Sequence, residues 1–285
     1  MKLVHISDTH IVPAPSQLYG LDPRANLSAA IADIHANHAD ADLCVFTGDL
    51  VHWGDAEAYD ALADVLAELK LPYVLMIGNH DDRARFQARF PDAPRDADGF
   101  VQGTLKTPMG TLVFLDTHDG TTHAGLYCET RRAWLARTLE GIEGDILLFA
   151  HHPPFPVGIG AMDAIALQEP DAFADVIRPH AQRIRHIFFG HLHRPISGSW
   201  LGIPFSVLRS QNHQVAMELR PTGRDVIGAW EQPAYAVALV TPEAVVVHMC
   251  EYLLGAGRFS LNADEGLGRA YALQMAGPQV ALAAG

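Results

Sequence analysis

Five short blocks rich in His, Asp and Asn contain the residues of this chain that could do chemistry. Imidazole, carboxylate and a single amide carbonyl suit Fe, Mn, Zn, Co or Ni better than Ca or Mg, which prefer all-oxygen shells. Each block alone is weak evidence, because a chain with 16 His and 33 acidic residues forms such pairs by chance. Together they supply a complete ligand set for two adjacent divalent cations. The blocks are Asp8–His10, Gly48–Asp49, Gly78–Asp81, His151–Pro153 and Gly190–His193.

Each of these blocks directly follows a run of apolar residues that predicts a buried strand. Helical spacing of apolar residues separates most of the strands, so the pattern predicts an α/β fold with much parallel pairing. Ligands bind at the carboxyl ends of strands in such sheets, so five blocks at five ends should converge. The segment Gly99–Gly110 departs from the alternation and predicts a hairpin. The predicted strands are Leu3–Ser7, Asp42–Thr47, Pro72–Ile77, Leu112–Asp116, Ile146–Ala150 and His186–Phe189.

Local geometry within the blocks follows from the residue types. In Asp8–His10 and His191–His193 we expect extended backbone, in which the middle residue points away and the two outer side chains reach one side. The glycines before Asp49, Asn79 and His191 should permit sharp turns and close approach of the backbone.

The pattern changes after about residue 200, where strands joined by turns replace the strand and helix alternation. We therefore predict a catalytic core over residues 1–200 and a β-rich extension over 201–285 that covers or flanks it. The Ala- and Gly-rich stretch Ala276–Gly285 has little to bury and predicts a flexible tail. The strands expected in the extension are Ile203–Leu208, Tyr235–Val240 and Ala244–His248.

Composition limits the possible partners and the compartment. Hydrophobic residues make up 49% of the chain, and the formal charge is −13, so a broad surface for polymeric nucleic acid is disfavoured. A small anion can still bind if metal ions supply the positive charge. Three widely spaced cysteines, no signal-peptide stretch and no apolar run of ~18 residues predict a cytoplasmic protein without a membrane span.

The motifs D-x-H, G-D, G-N-H-D, H-H-P and G-H-x-H resemble those of calcineurin-like metallophosphoesterases over roughly residues 1–200. Within that superfamily the chain looks most like bacterial class III cyclic-nucleotide phosphodiesterases and glycerophosphodiester phosphodiesterases. The resemblance implies a four-layer α/β/β/α sandwich with a smaller β-rich C-terminal cap or dimerisation extension, and hence a homo-oligomer. Further points of similarity are Leu18–Gly20, Gly78–Asp82, His151–Phe155, Met162–Asp163 and His213–Val215.

The same resemblance implies a role for each matching residue. Two divalent metal ions, Fe, Mn, Zn or Co, would share Asp49 as a bridge. His80 would lie beside the substrate as a catalytic residue, with Asp81 as its orienting partner. One metal would be bound by Asp8, His10 and His193, and the other by Asn79, His151 and His191. The candidates for contact with substrate are Asn79, His80, Tyr19, His213 and Asp163.

Differences from two related families argue against protein phosphatase and purple acid phosphatase activity. Protein phosphatases continue the G-D block toward Asp-Arg-Gly, whereas this chain continues Leu50–Gly54. Purple acid phosphatases place a Tyr ligand three residues after the Asp, where this chain has His52. His52 is either a metal ligand or a supporting or surface residue, and the sequence leaves both open.

The expected function is hydrolysis of small phosphodiesters, such as cyclic nucleotides or glycerophosphodiesters, by attack of a metal-bridging hydroxide. The only cationic residues beside the blocks are Arg83 and Arg194, which we interpret as solvated surface charges. No Arg or Lys is then expected to bind the second negative charge of a phosphomonoester, so a diester is favoured. His118 and His123 are interpreted as surface residues. The alternatives are a phosphomonoesterase or nucleotide pyrophosphatase on the same site, a nuclease, and a catalytically silent binding module.

Overall fold

The computed structural model describes residues 1–219 and 225–253, which form two mixed β-sheets with helices on their outer faces. The strands are β1 (Lys2–Ile6), β2 (Leu43–Phe46), β3 (Tyr73–Leu75), β4 (Gly103–Thr107), β5 (Gly110–Phe114), β6 (Ile146–Ala150), β7 (Ile184–Phe189), β8 (Ile196–Trp200), β9 (Ile203–Val207), β10 (Gln214–Val215), β11 (Gly228–Ala229), β12 (Ala234–Val240) and β13 (Val245–Glu251). The α-helices are α1 (Pro23–Asn37), α2 (Ala56–Leu66), α3 (Arg83–Arg89), α4 (Glu129–Gly141), α5 (Gly160–Asp163) and α6 (Pro170–Ile177), and a 3₁₀-helix spans Arg178–Arg183.

The first sheet has the strand order β13-β12-β1-β2-β3, and the second has the order β4-β5-β6-β7-β9-β8. Strands β1 to β3 pair in parallel, as do β5, β6, β7 and β9. Strand β4 pairs antiparallel to β5 through a turn at Thr107–Gly110, which confirms the predicted hairpin. Parallel neighbours bring their carboxyl ends to one edge of each sheet.

The strand side chains divide between two faces and produce four layers. In β1, Val4 and Ile6 pack with helix residues of α1 and α2, whereas Leu3 packs in the layer between the sheets. In β6, Phe149 points to that same inner layer and stacks on Phe188 with ring centroids 4.7 Å apart. Its neighbour Leu148 faces the helices of the other side. The predicted four-layer α/β/β/α sandwich is confirmed, because alternate strand residues bury apolar surface on both faces.

The strands predicted after residue 200 are present, and they complete the two sheets. Strand β12 pairs antiparallel to β1, and β9 pairs parallel to β7. The predicted division at residue 200 therefore runs through both sheets. A role for the extension in oligomerisation stays a prediction, and the predicted flexible tail lies outside the described residues. Among the described residues, no helix combines the length and apolarity needed to span a bilayer.

Candidate metal centre

The predicted ligands lie together where strands of both sheets end. Asp8 and His10 follow β1, Asp49 follows β2, and Asn79 follows β3. From the second sheet, His151 follows β6, while the block Gly190–His193 follows β7. Every one of these Asp and His side chains is buried, and Asn79 is partly buried. The prediction that the blocks converge is therefore confirmed.

A first group consists of Asp8, His10, Asp49 and His193, whose ligand atoms all lie within 4.8 Å of one another. His193 Nε2 lies 3.2 Å from Asp8 Oδ1 and 3.1 Å from His10 Nε2. His10 Nε2 lies 3.7 Å from Asp49 Oδ2. Two carboxylates and two imidazoles therefore surround one point, and all four residues are buried.

A second group centres on the side-chain oxygen of Asn79. Its Oδ1 lies 3.2 Å from His151 Nε2 and 3.0 Å from His191 Nδ1. His151 Nε2 also lies 3.3 Å from Asp49 Oδ2. The same Asp49 oxygen is thus in reach of both groups, which is the position that a bridging carboxylate requires.

The proton positions on the imidazoles decide whether this donor set fits divalent cations. His151 Nδ1 lies 2.7 Å from the Thr47 carbonyl, and His193 Nδ1 lies 2.9 Å from the His213 carbonyl. A carbonyl only accepts, so each Nδ1 carries a proton, and each Nε2 is the nitrogen that faces a carboxylate and would offer its lone pair to a bound metal. Two acceptor atoms at this distance repel each other unless a positive charge lies between them, so these residues are suited to bind metal ions.

The electrostatics of the site also favour positive charge. Burial disfavours the charged form of the His151 ring, but the adjacent Asp49 and Asp8 outweigh it and raise the pKa of His151 to about 9. In addition, His191 Nε2 is buried and has no hydrogen-bond partner among the described residues. A buried nitrogen without a partner is costly unless it serves a ligand or water.

The backbone at the predicted ligands is strained. A positive φ in a residue other than glycine costs about 1–3 kcal/mol and clusters at functional sites. The expectation of extended D-x-H and H-x-H blocks is therefore wrong, because left-handed turns aim the side chains instead. The residues with this conformation in the site are Asp8 (φ 56°), His10 (φ 47°), Asp49 (φ 48°), His191 (φ 68°) and His193 (φ 49°).

Two glycines make the close approach of the strand ends possible. A Cβ on Gly48, whose φ is 104°, would lie 2.7 Å from His151 Nδ1. A Cβ on Gly78 would lie 2.6 Å from both Asp49 N and His151 Nε2. Both distances are well inside van der Waals contact, so the prediction for these glycines is confirmed.

His80 and Asp81 are placed differently from the expectation. His80 Nδ1 lies 2.8 Å from the His52 carbonyl, and the His80 amide donates to Asp49 Oδ1 at 2.8 Å. The Asp81 carboxylate instead accepts from the amides of Gly78, Leu50 and Val51 at 2.9–3.3 Å. Asp81 therefore fixes the two loops that carry Asp49 and Asn79, and the His52 carbonyl replaces it as the orienting partner of His80.

His52 supports the first group from outside. Its Nδ1 lies 3.1 Å from His10 Nδ1, and its ring stacks on His80 with centroids 4.6 Å apart. If His10 carries its proton on Nδ1, this bond turns the Nε2 lone pair toward Asp49 and His193. The geometry favours the supporting role that the sequence left open.

Four of the five candidates for substrate contact, Asn79, His80, Tyr19 and His213, line the cavity above the site. The Tyr19 ring lies 4.6 Å from the His213 ring, which in turn lies 4.8 Å from the His193 ring. Asp163 is the exception, since its carboxylate accepts from the amides of Val157 and Gly158 and holds that loop.

Sequence reasoning missed two histidines of the site. His152 Nε2 lies 3.1 Å from Asn79 Oδ1 and 3.2 Å from the His123 carbonyl, so it carries a proton and acts as a donor. His123 was interpreted as a surface residue. It is exposed, but its ring borders the cavity, and its Nδ1 lies 3.0 Å from Asn79 Nδ2. The adjacency of His152 to His151 was the available signal. His118, also interpreted as exposed, is buried.

Comparison with known proteins agrees with this geometry. The family described as calcineurin-like phosphoesterase matches residues 1–195. The chain belongs to that family. A probable cyclic nucleotide phosphodiesterase from Rhodopseudomonas palustris is 45% identical over 94% of this chain and 99% of its own length. A glycerophosphodiester phosphodiesterase from Enterobacter lignolyticus is 29% identical over 75% of this chain and 79% of its own. A dimetal phosphatase from Danio rerio shares the fold, with a TM-score of 0.65, 19% identity, and coverage of 87% of this chain and 95% of that chain.

The calcineurin-like phosphoesterases are metal-dependent hydrolases of phosphate esters, and the cavity over the two groups suits a small substrate. Its volume is about 430 Å³, within the range of small-molecule sites. No Lys or Arg lines it among the described residues. The interpretation of Arg83 and Arg194 as solvated charges is wrong, because Arg83 pairs with the buried Asp116 and Arg194 pairs with Glu231.

Proposed function

We propose that this chain is a binuclear-metal phosphodiesterase that hydrolyses small phosphodiesters, with cyclic nucleotides or glycerophosphodiesters as substrates. The observation that carries the proposal is the position of Asp49, whose Oδ2 lies 3.7 Å from His10 Nε2 and 3.3 Å from His151 Nε2. One carboxylate in reach of two groups of nitrogen and oxygen donors is the arrangement that holds two cations side by side.

The proposal assigns each ligand to one cation. Asp49 would be shared by both cations, and divalent cations held there would supply Lewis-acid polarisation of the phosphoryl group and lower the pKa of an attacking water. The fixed Nδ1 protons of His151 and His193 keep their Nε2 lone pairs aimed inward. The first cation is assigned to Asp8, His10 and His193, and the second to Asn79, His151 and His191.

His80 is proposed to act on the substrate itself. Its Nδ1 is engaged by the His52 carbonyl, so its Nε2 is the nitrogen free to meet an ester oxygen in the cavity. From there it can hydrogen-bond a non-bridging oxygen or donate a proton to the departing alkoxide. His152 donates to Asn79 Oδ1 and holds that amide in place for the second cation.

A diester is favoured over a monoester by the charges around the cavity. A monoester brings a second negative charge, which usually requires a guanidinium or ammonium clamp. Arg83 is held by Asp116 at 2.8 Å, and Arg194 by Glu231 at 2.8 Å and by the Val215 carbonyl at 2.7 Å. Neither is available to the substrate without breaking an ion pair.

The test compares bis(p-nitrophenyl) phosphate with p-nitrophenyl phosphate on enzyme loaded with Mn or Co. Higher kcat/KM on the diester is expected, and a clear preference for the monoester would overturn the substrate class. Metal analysis of two variants checks the division of roles. Asp49→Ala should lose both cations, whereas His80→Ala should keep them and lose on the order of 10²–10⁴-fold in rate. Equal metal loss in both variants would contradict the assignment.

A further inference from the structure

The lining of the cavity over the metal centre combines two kinds of residue. One set is polar and includes Asp49, His80 and His193, here called the floor, and the other set is apolar, here called the wall. A metal centre needs only the floor to bind a phosphoryl group, so the wall is available to another part of the substrate. The wall is formed by Met162, Ile165, Val215, Val226, Ala229 and Trp230.

Trp230 stands at the edge of this wall, directly after the two-stranded ribbon of β10 and β11. Its side chain is 80% exposed, although burying such a ring would be strongly favourable. Its indole N–H donates to the Tyr19 carbonyl at 3.0 Å, and the Tyr19 ring, itself 57% exposed, lies 4.6 Å from His213. The indole is therefore held at the rim, two rings away from the metal ligand His193.

The other exposed tryptophan, Trp53, is placed differently from Trp230. Trp53 is 56% exposed, but its ring packs on His52 at 4.9 Å and does not line the cavity. Trp230 lines the cavity and leaves its ring face open toward solvent. An open aromatic face beside an aliphatic wall is suited to a flat ring, because stacking needs a plane and offers no discrimination among bases.

We infer that Trp230, positioned by Tyr19, is a stacking platform for the planar base of a nucleotide diester and sets the substrate preference of the site. This inference rests on the proposed function. Of the two candidate substrate classes, it favours cyclic nucleotides, since a glycerophosphodiester has no planar group for the wall. A quaternary ammonium could also meet an indole, but such groups are bound by several rings around them, and here one side of the platform is aliphatic.

The test measures KM and kcat for 3′,5′-cyclic AMP and for glycerophosphocholine on Mn-loaded enzyme. Trp230→Ala should raise KM for cyclic AMP about tenfold, the effect of losing one stacked base, with kcat nearly unchanged. KM for glycerophosphocholine should not move. Trp230→Phe keeps a flat ring but loses the N–H bond to Tyr19, so most of the affinity should remain. Tyr73→Ala removes an exposed aromatic ring at the start of β3, outside the lining of the cavity, and serves as the matched control.

Three outcomes would overturn the inference. They are an equal loss on both substrates, a loss confined to glycerophosphocholine, and a Trp230→Phe variant as impaired as Trp230→Ala. Calorimetric titration with adenosine 5′-monophosphate adds a readout independent of turnover, and its Kd should weaken by the same factor in Trp230→Ala. If no diester is hydrolysed, the proposed function fails, while the nucleotide titration still decides the role of Trp230.

Discussion

His5 should make the stability of the protein fall as the solution is acidified, because its buried ring resists protonation in the folded state. Its side chain is 1% exposed, and its ring lies nearly perpendicular to the stacked Phe149 and Phe188 rings. Nε2 donates to Thr47 Oγ1 at 2.8 Å, and Nδ1 has no partner among the described residues. Burial lowers the pKa of His5 from 6.5 to about 3, because a proton on Nδ1 would find no acceptor.

The sign and size of the effect follow from proton linkage. Above pH 6.5 both states leave His5 neutral, so its contribution is fully present. Below pH 6.5 the unfolded chain takes up a proton that the folded chain refuses until about pH 3. The free energy of unfolding should therefore fall by about 1.4 kcal/mol per pH unit, or about 2 kcal/mol between pH 7.5 and pH 5.

The assay is urea unfolding of the wild type and His5→Gln at pH 7.5 and pH 5. The glutamine amide can still donate to Thr47 but does not titrate, so the variant should lose about 2 kcal/mol less than the wild type on acidification. His248→Gln, which replaces an exposed histidine on β13, should behave like the wild type. If the wild type and His5→Gln lose the same free energy, the reasoning is refuted.

Three further predictions concern the site. Gly78→Ala should lower the free energy of unfolding in urea by about 1–3 kcal/mol, because the added Cβ would overlap Asp49 and His151. Gly141→Ala is the control, since its added Cβ would have no atom within 4 Å, and equal losses in both variants would contradict the steric argument. Asp81→Asn should cost about 1–3 kcal/mol relative to the exposed Asp64→Asn, since an amide group would face three backbone donors. Chelation should lower Tm and added Mn should restore it, because metal at 100 times its Kd adds about 2.7 kcal/mol to the free energy of unfolding. An unchanged Tm would argue against bound metal.

Much of the fold could be predicted from the sequence because its pattern is local. Strand β6 matches its predicted range of Ile146–Ala150, since five apolar residues bounded by turn residues leave little choice. Strand β3 is shorter than predicted, Tyr73–Leu75 instead of Pro72–Ile77, although the Met76 amide still donates to the Phe46 carbonyl of β2 at 3.0 Å. The four layers were predicted from the family resemblance. The alternation of strands and helices along the chain does not by itself say which face of a sheet packs on helices and which on the other sheet.

The gathering of the site could also be predicted, since the blocks follow parallel strands. What could not be predicted was the hydrogen bonding around them. The His52 carbonyl takes the orienting role expected of Asp81, because the Asp81 carboxylate accepts from the amides of Leu50 and Val51 instead. Whether Arg83 is solvated or paired depends on Asp116, which lies 33 residues away in the sequence. The spacing of residues along the chain cannot predict such a long-range ion pair.

The pairing of β12 with β1 has a consequence for any attempt to shorten the chain. Strand β1 lies in the middle of its sheet and leads into Asp8, with β2 on one side and β12 on the other. Truncation at residue 200 would strip β1 of four register partners and leave apolar Leu3 and Val4 on an open edge, a template for aggregation. A minimal catalytic fragment must therefore extend through Val240, well past the last histidine of the motifs.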